Sequence, residues 1–289
     1  MDFCITKTKA MKTIIVPVDF SDTAYNAAVY AIQLAKQIST NKVVLYHAYE
    51  LPVAADGGLA IPLMVSVDDV KRNSTEALHN LLKKLKSHID YFPFSLETCN
   101  TYNSVITGIT ETAKQLKADL IVMGITGGNA VEEVLVGSNT IDVAKHTKIP
   151  VMIVPPKAAF NPIRNVLLSC NLEYIYETTP VELITKFLDN TKATLQILHV
   201  EPDPATADFS GTYFESIPLN TLFEGYEPKY HFVHNSNFIQ GVNEFADSNS
   251  IDILIIVPQK HGLFDSLFNK SHTKMMAFHS HVPLLIAHE

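Results

Sequence analysis

The segment MKTIIVPVDFS (residues 11–21) and the later segment IRNVLLSCNLE (163–173) carry one apolar pattern, 152 residues apart. The same offset lays VVLYHAY (43–49) on LQILHVE (195–201) and superposes His47 on His199. Further along, GITETAKQLKADLIVM (108–123) matches GVNEFADSNSIDILII (241–256) at an offset of 133, with Gly, Glu, Ala and Asp in register. That offset also carries Ala144, His146 and Pro150 onto Ala277, His279 and Pro283. Two constant offsets held over so many positions identify a tandem duplication. The second copy is about 19 residues shorter, and the loss falls between its second and third strands. The junction lies near PPKAAFNP (155–162), which divides the chain into domains at 11–156 and 162–289.

Each copy alternates short β-branched runs with longer stretches of helical spacing. In the first copy the runs are 14–18, 42–48, 119–123 and 150–154. Helix one starts after Ser21-Asp22, an N-cap pair, and buries Ala24, Ala27, Ala28, Ala31 and Leu34. A second helix carries the stripe Val67, Val70, Ala77, Leu78, Leu81, Leu82 and Leu85. Its counterpart in the second copy, SIPLNTLFEGYEP (216–228), is broken by Pro218, Gly225 and Pro228, so that helix is short or missing. Strand–helix alternation predicts an α/β fold with parallel sheets and helices on both faces. Ligands in such sheets bind beyond the carboxyl ends of the strands, where strand order reverses, so the segments after strands one and four are the ones to inspect.

Composition narrows the class of function. Hydrophobic residues make up 47% of the 289 and charged residues 18%, enough apolar material for packed cores and the opposite of a disordered chain. A net charge of -8 argues against nucleic acid as a partner. No apolar run approaches the ~20 residues of a membrane span. Cys4, Cys99 and Cys170 are odd in number and scattered, which fits a reducing cytoplasm rather than a disulfide framework. Residues 1–10 lack a secretory pattern and read as a polar extension before Met11.

After strand four the chain reads MGITGGNAVEEVLVGSNT (123–140). Glycines allow a backbone to approach an anion closely, and Gly137-Ser138-Asn139-Thr140 would present amides and hydroxyls at a helix N-terminus. Neither a Walker loop nor a GxGxxG after strand one is present, and a flexible turn is the simpler reading of the glycines alone. Asp19, which ends strand one, could accept hydrogen bonds from ribose hydroxyls or an adenine amino group, or could form an Asx turn or N-cap for helix one.

Together these residues resemble the universal stress protein family, whose nucleotide motif Gly-x2-Gly-x9-Gly-Ser/Thr is reproduced by Gly124, Gly127, Gly137 and Ser138. VPVDFS also matches the family's opening strand. The resemblance implies two tandem five-stranded parallel α/β sandwich domains, of the adenine nucleotide α-hydrolase-like type, paired by a pseudo-twofold. It places Asp19 against adenosine with Pro17 and Val18 beside it, and the backbone of Ala48 against adenine. Met123, Gly124, Gly127 and Gly128 would wrap ribose and phosphates, and Ser138, Asn139 and Thr140 would hold the phosphate tail. The implied ligand is ATP or AMP, with Mg²⁺ left open and no structural metal.

The second copy departs from the motif. Asp19 becomes Asn171, and Gly124, Gly127 and Gly137 become Val257, Lys260 and Lys270, while Ser271 and Thr273 survive. A Cβ at each glycine position obstructs close approach, so this copy reads as a degenerate partner. His231 with His234 and His279 with His281 lack a third ligand for a metal. His47 and His199 are read as structural, and Glu132 and Glu133 as solvated. The leading function is a cytoplasmic adenine-nucleotide sensor or sequestering module of the stress response, without a dedicated catalytic group. A slow ATP hydrolase or nucleotidyl transferase, or a ligand-free interaction module, are the alternatives. The apolar last strands, Val151–Val154 and Leu284–Ala287, are expected to pair antiparallel within one chain, which leaves further association through helix faces open.

Overall fold

A computed structural model describes residues 10–51, 53–56, 59–62, 65–88, 91–125, 138–169, 179–201, 219–257 and 282–288. The first half runs β1 (Thr13–Pro17), α1 (Asp22–Gln37), β2 (Lys42–Tyr49), β3 (Val53–Asp56), β4 (Leu59–Pro62), α2 (Val67–His88), β5 (Ser95–Tyr102), α3 (Val105–Gln115), β6 (Leu120–Gly124), α4 (Ser138–His146) and β7 (Val151–Val154). The second runs β8 (Asn165–Ser169), α5 (Val181–Thr191), β9 (Thr194–Glu201), α6 (Leu219–Leu222), β10 (Lys229–His234), α7 (Phe238–Ser248), β11 (Ile253–Ile256) and β12 (Leu284–Ile286).

Ten of these strands form one sheet in the order β10–β9–β8–β11–β12–β7–β6–β1–β2–β5, while β3 and β4 make a separate antiparallel pair. Within each half all pairings are parallel and the strand order is the same. The halves meet where β12 pairs β7 antiparallel, with Leu284, Leu285 and Ile286 opposite Ile153, Met152 and Val151. The expected pairing of the two last strands is therefore present, and it fuses two five-stranded sheets into one.

Alternation along the strands sorts the core into two layers. Ile14, Val16, Val43 and Leu45 pack with α1, and Val166, Leu168 and Ile197 with α5, in one layer that crosses the seam. Ile15, Ile121, Leu167 and Leu254 belong to the other layer, packed with α3, α4 and α7. The duplication extends to single hydrogen bonds. Asp119 Oδ2 accepts the amides of Lys12 (2.8 Å) and Thr13 (3.2 Å). Its repeat partner Asp252 accepts those of Arg164 (2.8 Å) and Asn165 (2.9 Å). Each carboxylate ties the start of strand one to the start of strand four. Gly108 and Gly241 also correspond, and each lets a helix lie close on its strand. A Cβ at Gly108 would stand 2.3 Å from the Tyr46 hydroxyl, and one at Gly241 3.0 Å from Val200.

Contacts beyond the seam join the halves. Gln37 Nε2 donates to the carbonyls of Ile163 (2.8 Å) and Thr191 (3.2 Å), and its Oε1 accepts the Ile163 amide (2.9 Å). Asn26 Nδ2 donates to the carbonyls of Pro155 and Ala158 in the junction. Lys186 on α5 pairs with Asp119 Oδ1 at 2.5 Å.

Helix α1 begins as expected: Ser21 is its N-cap and accepts the Ala24 amide, and all five named apolar positions are buried. Helix α2 differs at its start. Val67 is 40% exposed, whereas Leu78, Leu81 and Leu85 are buried. Ser74 already lies beside His47 near the end of β2, so the turn before it projects past the carboxyl edge of the sheet. The broken segment of the second copy keeps a helix of four residues, α6, against 22 in α2. This accounts for nearly all of the shortening.

Candidate functional site

The order β7–β6–β1–β2–β5 reverses direction between β1 and β6, and a cleft opens beyond the carboxyl ends of these two strands. Its volume is about 300 Å³, at the lower end of small-molecule pockets. Among the residues named from sequence, Pro17, Val18, Asp19, Ala48, Met123, Gly124, Asn139 and Thr140 all line it. Ser138 opens α4 beside them. Gly127, Gly128 and Gly137 lie outside the described residues, as do Asn171, Lys260, Lys270, Ser271, Thr273, His279, His281, Glu132 and Glu133.

The β1 side is built by a tight turn. The Val18 amide donates to the Tyr46 carbonyl at 2.8 Å, continuing the ladder one residue past β1. Asp19 Oδ1 then accepts both the amide (3.0 Å) and the hydroxyl of Ser21, an Asx turn that seats the N-cap of α1. Phe20 takes φ 66° between them, a left-handed conformation uncommon for a bulky residue. The second Asp19 oxygen has no hydrogen-bond partner among the described residues, and the side chain is exposed at the cleft. The Asx turn expected of Asp19 is thus present, and its side chain also borders the cleft.

The β6 side depends on close packing. A Cβ on Gly124 would lie 2.5 Å from the Thr23 carbonyl oxygen and 2.8 Å from its carbon. The glycine therefore lets β6 pass directly beneath the first turn of α1. Its carbonyl accepts the Thr140 hydroxyl at 3.0 Å, which ties the start of α4 back onto the strand. That bond uses the one proton of the Thr140 hydroxyl and leaves its oxygen as an acceptor.

On the β2 side, Tyr46 is fully buried and its hydroxyl shares a 2.6 Å hydrogen bond with Thr101, while burial pushes its pKa up. His47 Nδ1 lies 2.8 Å from Ser74 Oγ, which accepts from Asn100 Nδ2 at 2.9 Å. The His47 ring meets Phe20 at 4.7 Å between centroids. The structural hydrogen bond expected for His47 is therefore present. Thr23, Ala24, Val105 and Ile109 also belong to the lining. Sequence reasoning missed them because Val105 and Ile109 sit on the helix after β5, a strand it did not locate.

Burial lowers the pKa of His47 against an opposing Asp19 charge, of His231 with help from Lys229, and of His288 against a hydrogen bond with the Ala144 backbone. Each holds its proton more weakly in the folded state than in the unfolded one, whose value is 6.5. Their contribution to stability is complete above that pH and is lost as the pH falls through the folded values. The urea midpoint should accordingly be lower at pH 5.5 than at pH 7.5, and an unchanged midpoint would contradict this.

The site joins apolar walls to a few polar groups: one carboxylate, a neutral imidazole, hydroxyls, an amide and the amino end of α4. Ser74, the hydroxyl beside His47, is 4% exposed and is not among the described lining residues. The arrangement fits recognition of a flat heterocycle bearing hydroxyls better than covalent chemistry. Among the described residues, no three His, Cys, Asp or Glu side chains gather as metal ligands, and no helix is long and apolar enough to cross a membrane.

Comparison with known proteins follows the same lines. The profile of the universal stress protein family matches residues 11–155. A universal stress protein of Methanocaldococcus jannaschii is 33% identical over 143 residues, covering 50% of this chain and 81% of the relative. Universal stress protein G of Escherichia coli O157:H7 is 27% identical over 146 residues, covering 50% of this chain and 98% of its own. The crystal structure of a universal stress protein from Archaeoglobus fulgidus DSM 4304 aligns with 96% of this chain and 97% of its own at a TM-score of 0.72. At 15% identity that likeness speaks for the fold, which it shares over nearly the full length. The chain belongs to the universal stress protein family.

Proposed function

We propose that the cleft between β1 and β6 binds an adenine nucleotide, ATP or AMP, and that the chain serves as a cytoplasmic sensor or sequestering module in the stress response. The observation that carries this reading is the convergence of Pro17–Asp19, Ala48, Met123–Gly124 and Asn139–Thr140, far apart in sequence, on one cavity. In this reading the second Asp19 oxygen accepts from a ribose hydroxyl or the adenine amino group, and the backbone of Ala48 meets the base. Gly124, with Gly127 and Gly128, follows the ribose and phosphates, while Ser138 and Asn139 meet the phosphate tail. Thr140 positions α4 through Gly124 and offers an acceptor. The domains at 11–156 and 162–289 divide the work: the first binds, and the second covers the apolar edge of β7. A net charge of -8 supports a small-molecule partner over nucleic acid.

Isothermal titration of the full chain with AMP and ATP tests this. One site per chain is expected. Asp19→Ala should weaken it by about 1.5–3 kcal/mol, roughly 10- to 150-fold in Kd, the scale of a charge-assisted hydrogen bond. Asn171→Ala should leave it in place. No binding at millimolar ligand, or two equivalent sites per chain, would refute the reading.

A further inference from the structure

We infer that Phe20 is a positioning residue of the cleft: its ring, seated on His47, holds the turn between β1 and α1 in the strained form that presents the Asp19 carboxylate to a ligand. This rests on the adenine reading above and deepens it by naming a residue that acts through Asp19.

Phe20 stands where its residue type is costly. Its φ of 66° is left-handed, a region in which Cβ crowds the following carbonyl oxygen and which glycine or asparagine enters with less strain. Ser39, Lys117, Lys192 and Ser250 share that conformation, yet each lies at or just past a helix C-cap, where it is routine. Phe20 instead joins the end of a strand to the N-cap of a helix. It is also 38% exposed, so burial in a core does not account for an aromatic side chain there.

The ring meets His47 at 4.7 Å between centroids, with the planes tilted by 50°. His47 is a firm seat. Its Nδ1 lies 2.8 Å from Ser74 Oγ on α2, and the buried Ser74 accepts from Asn100 Nδ2 of β5 at 2.9 Å. Asn100 Nδ2 also donates to Thr75 Oγ1 at 3.0 Å. The elements β2, α2 and β5 thus hold the imidazole together. Asp19 and His47 both line the cleft, so the ring contact locks the end of β1 to the end of β2 along one wall. Phe20 is not itself among the described lining residues, and it acts on the cleft through these two neighbours. Asp19 Oδ1 is fixed inside the turn by Ser21. The direction of the other oxygen therefore follows the backbone of the turn, which the Phe20 ring holds against the preference of its own residue type. Strain kept beside a binding group is a pattern of functional sites.

Isothermal titration of the full chain with AMP, run beside urea unfolding, tests the inference. Phe20→Gly and Phe20→Asn both accept left-handed backbone and remove the ring. Each should weaken AMP binding by about fivefold, the scale of a lost aromatic contact, with a urea midpoint no lower than that of the unsubstituted chain. Phe20→Tyr, which keeps the ring, should bind within about twofold of the unsubstituted chain. In the Asp19→Ala background, Phe20→Gly should change the Kd by less than about twofold, because both substitutions remove one effect. Unchanged AMP affinity in the glycine and asparagine variants, losses that multiply in the double variant, or a lowered urea midpoint accompanying the lost affinity would each overturn the inference and leave the adenine reading intact. Weakening by glycine but not by asparagine would trace the effect to backbone freedom and overturn it as well. Absence of AMP binding by the unsubstituted chain would overturn the adenine reading, and this inference with it.

Discussion

Replacement of Leu285 by aspartate is expected to abolish the stable fold of the whole chain. Leu285 is fully buried opposite Met152, itself fully buried, at the centre of the antiparallel pairing that joins the two halves of the ten-stranded sheet. Both side chains belong to the core layer shared by the two halves. The layer around it is built of apolar side chains such as Val154, Leu168 and Ile255. The group must either ionise unpaired or take up a proton, at a cost on the order of several kcal/mol. Domains of this size hold together by only about 5–15 kcal/mol in total. Loss of the cooperative urea transition, or precipitation on expression, is the expected result. Leu285→Val, which keeps the strand apolar, should cost only about 1–2 kcal/mol. A Leu285→Asp chain with a near-normal midpoint would show that β7 and β12 do not pair in solution.

Gly124→Val is the second large effect, and it strikes stability and binding together. The new Cβ would fall 2.5 Å from the Thr23 carbonyl oxygen, and that obstacle is helix backbone rather than the end of a flexible side chain. Relief requires β6 and the first turn of α1 to separate. Such overpacking costs about 1–3 kcal/mol, and more where backbone must move. The same movement parts Asp19 from Met123 and pulls Thr140 off the Gly124 carbonyl, so both walls of the cleft shift. A drop in urea midpoint with loss of measurable adenine binding is expected. Gly124→Ala should follow in the same direction with a smaller drop. A valine variant with unchanged stability would mean that α1 does not lie this close to β6.

The comparison of sequence with structure is uneven in an instructive way. The two offsets, 152 and 133, map β1 onto β8, β2 onto β9 and α3 onto α7, because repeated apolar spacing reports repeated burial. The edge strands β5 and β10 were not legible. SLETCNTY, the β5 sequence, is mostly half-exposed and polar, so it lacks the alternation that marks a strand buried on one face. The β3–β4 hairpin is absent from the sequence reading although Gly57-Gly58, a two-residue hairpin signal, separates its strands, because each flanking run is only four residues long and poor in β-branched alternation. Asp119 and Asp252 gave no local hint of their role, since a carboxylate that receives two amides over a hundred residues away, or nearly ninety for its repeat, depends on topology. At the site, sequence spacing found the right strand ends. It could not show that Gly124 answers to helix packing, or that Thr140 is held by Gly124.

The most direct test of the central claim, one adenine ligand per chain in the first-half cleft, is a crystal structure of the full chain grown with AMP. The account predicts ligand density beyond the ends of β1 and β6, with the base against Ala48 and a hydrogen bond to the free Asp19 oxygen. It predicts none at the corresponding ends of β8 and β11. Density in the second half, or an empty first-half cleft at saturating AMP, would contradict it.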